Sequence, residues 1–212
     1  MSSEAVVQPE QARKNRLVIF FLVLAFVAPF MLGHLAYFHG WYAGGKTTNK
    51  GELISPPIAF ASLGLKQVDG QLLDRKFLDR KWSLLYVLPA NCEQACRNSL
   101  FQMRQVRKAA GRDSERIRLL VIQTQAPDAA TEALLQKEFS EMARITGDAA
   151  TIDHAFVAVN ASASVAGLVY TMDPMGMIML RYAPQADEKT SIIKAQDILT
   201  DLQKMLKDSQ IG

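Results

Sequence analysis

The sequence predicts an α/β protein: one domain on a central mixed sheet flanked by helices, preceded by a single membrane-spanning helix. Three observations predict it. Residues 17–38 are apolar apart from His34. Two apolar runs, 84–88 and 117–124, are joined by a helical pattern of the kind a parallel crossover needs. Late in the chain, 168–172 and 177–182 flank Asp173-Pro174-Met175-Gly176, a turn signal between two antiparallel strands.

The first element is the span. A helix needs about 20 apolar residues to cross a bilayer, and no Asp, Glu, Lys or Arg occurs from Leu17 through Gly45. Arg13, Lys14 and Arg16 stand just before it, which places residues 1–16 in the cytoplasm. Tyr37, Phe38, Trp41 and Tyr42 form the expected aromatic belt at the far interface. The apolar stretch exceeds an ordinary signal core, and no small-x-small cleavage site follows, so a retained anchor is expected. His34 lies near the outer end, within reach of headgroups or water, and Pro29 is positioned to kink the helix. Everything from His39 onward is then expected outside the inner membrane, in the periplasm.

Residues 39–59 read as a polar, Gly-containing linker with Pro56-Pro57 near its end. The remaining stretch, 60–212, suits one domain with one core. Within it, 60–68 and 72–78 flank Asp69-Gly70, a hairpin-type turn. Residues 84–88 read as a central strand and 93–110 as a helix with Leu100, Met103 and Ala110 facing inward. A second buried strand follows over 117–124. Asp128 reads as the N-cap of a helix ending near Gly147. After the late hairpin, 191–206 is amphipathic, with Ile192, Ala195, Leu199, Leu202 and Leu206 on one stripe.

Cys92 and Cys96 are the only cysteines, and they sit where the first central strand turns into a helix through Pro89-Ala90-Asn91. A spacing of four puts both sulfurs on one face of the first helical turn. They suit a disulfide, or joint capture of one soft metal ion. A helix N-terminus favours thiolate over thiol. Arg97 adds a cation beside them and Glu93 an anion, so the net shift has no sign from sequence. A staple closing so short a loop constrains little chain, which argues for chemistry at this pair. In an oxidising compartment such a dithiol acts only if it is kept reduced or metallated.

Strand, helix, strand, helix, hairpin, helix, with a cysteine pair after the first central strand, is the order of a thioredoxin-like domain. More narrowly, Trp82…Cys92-Glu-Gln-Ala-Cys96 and Tyr170-Thr-Met-Asp-Pro174-Met-Gly176 resemble the Sco/SenC class. Its members are membrane-anchored thioredoxin-fold copper proteins that help assemble cytochrome c oxidase. They carry a Cys-x-x-x-Cys pair after a Trp-led strand and a Tyr-x-x-x-Pro-x-Gly hairpin. The resemblance implies that Cys92 and Cys96 are the catalytic dithiol, the ligands of Cu(I), or both. It also implies an oxidase subunit or another assembly factor as partner.

The chain departs from that pattern in two places. The class has a His as third copper ligand five residues before the hairpin Tyr, where this chain has Val165. Its Pro after the first Cys is Glu93 here. Ordinary thioredoxins carry a cis-Pro near the hairpin start, and the matching stretch Val165-Ala-Gly167-Leu has no proline. His154 is a candidate substitute ligand. Met172, Met175, Met177 and Met179 offer soft thioethers, against the plainer reading of methionines as core fillers. Arg97, Arg104 and Lys108 follow helical spacing and suit either an acidic partner or plain solvation.

The net charge of +3 is modest and no block of basic residues occurs, so nucleic-acid binding has no support. No Thr-x-x-Cys pattern of a peroxidase is present. The leading expectation is a Sco-like accessory protein for oxidase assembly, working by disulfide reduction or Cu(I) transfer. With valine at the ligand position, thiol chemistry or transient copper contact is favoured over stable copper storage. Cys92 is the expected attacking thiol and Cys96 the resolving one. A general periplasmic thiol–disulfide oxidoreductase and a non-catalytic scaffold are the alternatives.

Overall fold

The computed structural model describes residues 9–39, 48–71, 73, 77, 80–158 and 165–209. It divides into two units, 1–48 and 49–212. In the first, α1 (Pro9–Phe38) is a single helix, and its stretch Arg13–Phe38, of mean hydropathy 2.4, is long and apolar enough to cross a membrane. The His34 ring lies against Phe38, centroids 4.5 Å apart. Trp41 and Tyr42 of the expected aromatic belt lie outside the described residues, as does most of the expected strand over 72–78.

The second unit carries a seven-stranded mixed sheet, ordered β1-β7-β6-β3-β4-β5-β2. Its strands are β1 (Glu52–Ala59), β2 (Lys66–Gln67), β3 (Trp82–Val87), β4 (Ile117–Gln123), β5 (Ala143–Thr146), β6 (Val169–Met172) and β7 (Met177–Tyr182). The helices are α2 (Gln94–Ala109), α3 (Ala129–Glu138), α4 (Ala149–Val157) and α5 (Glu188–Asp208). β3 runs parallel to β4 and antiparallel to β6, so it sits at the centre. All six of its residues are buried, as the continuous apolar run requires when both faces of a sheet are covered.

Alternation along β3 builds two cores. Trp82, Leu84 and Tyr86 face a cluster closed by α2, α3 and α5, through Leu100, Met103, Leu135, Phe139 and Leu202. Leu85 and Val87 face a second cluster, closed by β1 and α4 through Ile54, Ile58, Ile152 and Phe156. The late hairpin is as expected: Asp173 Oδ1 accepts from the amides of Met175 and Met177 at 2.9 and 2.8 Å. Gly176 takes the positive φ of +87° that this turn requires.

Four local expectations are corrected. Residues 52–59, read as linker, form β1 on the sheet edge, with Ile54 and Ile58 buried. Pro56 and Pro57 masked it, and the pairing with β7 shifts register between Leu53 and Ile58, around them. An edge strand tolerates prolines because it can turn its missing donors to solvent. Phe60–Leu63, expected in a strand, is a 3-10 turn, and only Lys66–Gln67 of that stretch pairs. The helix from Asp128 ends at Glu138, and the chain then enters β5, parallel to β4. Ile192, placed on the inward stripe of α5, is 60% exposed; Leu199, Leu202 and Leu206 are buried.

Candidate functional site

The site grows from the C-terminal end of β3. Leu88 continues the ladder by donating to the Ile122 carbonyl at 2.9 Å, and the chain then bends through Pro89 and Asn91 into α2. Cys92 and Cys96 are joined by a disulfide, with their Cα atoms 5.1 Å apart. The bridge spans the entry to α2: Glu93 is the N-cap, with extended backbone and no side-chain cap, and its carbonyl accepts from Arg97 at 3.1 Å. Both cysteines are largely shielded, Cys92 at 9% exposure and Cys96 at 3%. Cys92 borders a surface cleft of about 230 Å³ with Asn91, Glu93 and Arg97 on one side and Asp128, Thr131 and Leu134 of the α3 region on the other. Cys96 does not line that cleft.

Two helix N-termini therefore open beside Cys92. Thr131 donates its amide to Asp128 at 2.6 Å, and these hydrogen bonds hold the Asp128 carboxyl below its usual range. The wall carrying Asp128 is fixed by Glu132, which takes a bidentate pair of hydrogen bonds from Arg144 of β5 at 2.6 and 2.7 Å. A second tie is Arg104. It donates to the Glu138 carbonyl at 2.7 Å and lies over the rings of Phe101 and Phe139, at 5.3 and 5.0 Å. Arg104 thus joins α2 to the end of α3. Of Arg97, Arg104 and Lys108, Arg97 is the one in the cleft, and Lys108 is exposed.

The expected metal set does not assemble. Val165, at the position of the class's third copper ligand, is buried in the β1/α4 core, whereas both cysteines belong to the α2/α5 core on the other side of the sheet. Tyr170 pins this segment by donating its hydroxyl to the Val165 carbonyl at 2.9 Å. Gly167, in the stretch where thioredoxins place their proline, donates to the Val87 carbonyl at 2.9 Å. His154 lies on α4 and lines a groove with Pro57, Ile58 and Ser62, also on the side away from the cysteines. Met172 is buried in that same far core and Met175 is 81% exposed at the turn tip. Met177 and Met179, expected on the core face, are half-buried, and Met179 packs against the cysteine-containing cluster. Among the described residues no group of three or more His, Cys, Asp or Glu side chains is placed to hold a metal ion. Bridged, the two sulfurs offer no thiolate pair to a metal; reduced, they would stand without a third ligand from Val165, His154 or Met172, which lie on the other side of the sheet.

Sequence reasoning missed two buried polar groups, one beside the cysteines and one elsewhere in the domain. Tyr86 is wholly buried on the cysteine side of β3, and burial raises its phenol well above the ordinary range. Its signal was a phenol hydroxyl within the apolar run 84–88. Asp201 of α5, 2% exposed, accepts from the Lys50 and Gly51 amides at 2.8 Å each and from the Tyr182 hydroxyl at 3.1 Å. A lone acid among the apolar positions of an amphipathic helix was its only trace.

Residues 82–209 match the family described as transmembrane-like, thioredoxin-like, C-terminal domain. No curated protein matches the sequence. Among solved structures, the apo Sco1 protein from Thermus thermophilus is similar over 77% of this chain and all of its own length, at 13% identity and a TM-score of 0.54. Yeast Sco1 aligns over 70% of this chain and 95% of its own, at 20% identity and a TM-score of 0.45. BsSco, a member of the Sco family of cytochrome c oxidase assembly proteins, aligns over 74% and 96%, at 13% identity and a TM-score of 0.48. At these identities the likeness is one of fold, a Sco-like thioredoxin fold, and it rests on the Thermus protein.

Proposed function

The chain belongs to the family of transmembrane-like, thioredoxin-like C-terminal domains, and from that premise we propose that it is a membrane-anchored thiol–disulfide exchange protein whose reactive pair is Cys92 and Cys96. The observation that carries the reading is the bridged pair at the entry to α2, with Cys92 on a surface cleft and Cys96 behind it. In the reduced state the Cys92 thiolate attacks a partner disulfide and forms a mixed disulfide, releasing one partner thiolate. The Cys96 thiolate then attacks Cys92, displaces the second partner sulfur and restores the bridge. The partner gains two electrons and two protons; a periplasmic dithiol donor returns them to this chain.

Arg13, Lys14 and Arg16 before the span support an inner-membrane anchor with the domain in the periplasm. The Sco/SenC-like motifs support a specific client, the copper-site cysteines of a cytochrome c oxidase subunit, which must be reduced before they take metal. Val165 and His154 lie on the wrong side of the sheet to complete a copper site, which favours reduction over Cu(I) carriage.

The test uses the full chain in detergent with an oxidised oxidase subunit. The wild-type protein is expected to reduce the subunit's copper-site disulfide. Cys96→Ser stops at a trapped mixed disulfide and Cys92→Ser is inert. Oxidase assembly that survives both substitutions in cells would reduce the pair to a staple and the protein to a scaffold. Fast turnover of unrelated disulfides would make it a general oxidoreductase.

A further inference from the structure

The cysteines share their layer of the core with a buried hydroxyl that makes no hydrogen bond while the bridge is closed. Tyr86 lies in β3, six residues before Cys92, and is fully closed to solvent. Its cross-strand neighbours, Val121 and Val169, are apolar. Its side chain belongs to the same packed cluster as Cys92, Cys96 and Leu100. The hydroxyl makes no hydrogen bond. Ser99 faces it from α2 and acts against the effect of burial on its phenol, yet makes no hydrogen bond with it; the Ser99 hydroxyl donates to the Ala95 carbonyl at 3.0 Å. Ser99 follows Cys96 by three residues, so both side chains lie on the face of α2 that Tyr86 meets. Buried polar groups are nearly always paired, and one that is not calls for a reason. Beside Tyr86 stands a group whose acceptor strength changes with its oxidation state. A disulfide sulfur is a weak acceptor, whereas a thiolate is a strong one.

We propose that Tyr86 is the hydrogen-bond donor for the Cys96 sulfur once the bridge opens, so that the site carries its own stabiliser for the buried thiolate. This rests on reading the pair as redox-active. When an incoming thiolate attacks Cys92 Sγ, a new S–S bond forms there and the Cys92–Cys96 bond breaks. Its electron pair leaves on Cys96 Sγ, and the Tyr86 hydroxyl turns to that sulfur without giving up its proton. In the opposite direction the same thiolate attacks Cys92 and the hydroxyl returns to its unpaired state. The stabilisation therefore exists only in the reduced and mixed-disulfide forms.

The experiment equilibrates the full-length chain in detergent with reduced and oxidised glutathione, and melts both redox forms, for wild type, Tyr86→Phe and Ser99→Ala. Tyr86→Phe removes one oxygen and is expected to make the bridge about tenfold harder to reduce, a fall of about 30 mV. Its oxidised form melts higher than wild type, having lost an unpaired polar group, while its reduced form does not. Ser99→Ala leaves the potential unchanged. A potential unmoved in Tyr86→Phe, with both redox forms shifting equally on melting, would make Tyr86 a core filler and overturn the proposal. Should the wild-type pair fail to exchange with glutathione at all, the redox reading falls and this inference with it. Independently of any variant, the tyrosine O–H band of the isotope-labelled wild-type protein is expected to move to lower frequency on reduction. A stationary band overturns the proposal as well.

Discussion

Asp201 gathers the Lys50 and Gly51 amides and the Tyr182 hydroxyl on one buried carboxylate. Replacing it with alanine orphans all of them at once, and the expected loss is roughly 3 kcal/mol. Asp201→Asn, which keeps an acceptor, is expected to lose less; thermal melts of both variants in detergent check the order. Gly51 is constrained by the same contact, since a Cβ there would stand 2.6 Å from the Tyr182 ring. Other carboxylates respond to pH. Glu52 is held below its usual range by the Arg181 hydrogen bond and Glu132 by that of Arg144, while the cap residues Asp128, Asp148 and Asp187 are held down by helix amides. A carboxyl whose folded value is depressed contributes stability above its unfolded value, and the contribution drains away as pH falls through the folded one. The melting temperature is therefore expected to stay level from neutrality to about pH 5 and to drop below about pH 4, which a pH series of melts reads directly.

The helix caps show what was legible element by element and what was not. The same Asp-x-x-Thr signature stands at Asp128/Thr131, Asp148/Thr151 and Asp187/Thr190, and in each the Asp side chain accepts from the Thr amide. Only Asp128 was read as a cap, so α4 escaped notice and α3 ran on too far. Between those helices β5 has four residues, too few for an alternating pattern to stand apart from a helical one. Strand β3, helix α2 and the β6–β7 hairpin were plain because their apolar runs and turn residues agree. The cysteine pair was equally plain, as a motif of spacing. Which core Val165 and His154 face was not, because that depends on the register of β6 and on an α4 that went unread. The inward stripe of α5 was half right, which gives a direct contrast. Met103→Ala in α2, wholly buried, is expected to cost about 3 kcal/mol. Ile192→Ala in α5, largely exposed, is expected to cost almost nothing; denaturant titrations of both check the assignment.

For the whole molecule, the two-sided sheet separates the sulfurs from His154 and Met172, while Met103, Met142, Met179 and Met205 share their side of it. A Cu(I) competition titration of the reduced full chain checks this: His154→Ala and Met175→Ala are expected to bind as wild type does, and any affinity is lost in the double Cys92→Ser/Cys96→Ser variant. The sheet also has a consequence at its margin. Strand β1 is the outermost strand, bonded to β7, and its prolines interrupt the ladder. A chain trimmed to start at residue 60, where the sequence alone suggests the domain begins, would lose that strand together with the Glu52 partner of Arg181. It would bare the full hydrogen-bonding rim of β7, with Ile178 and Leu180 beneath it. Such a rim recruits a strand from a second molecule. The eight residues of β1 thus work as a selvedge: they finish the fabric of the sheet so that one copy cannot be woven into the next, and a trimmed protein is expected to come out of solution as aggregate while the one beginning at Asn49 stays dispersed.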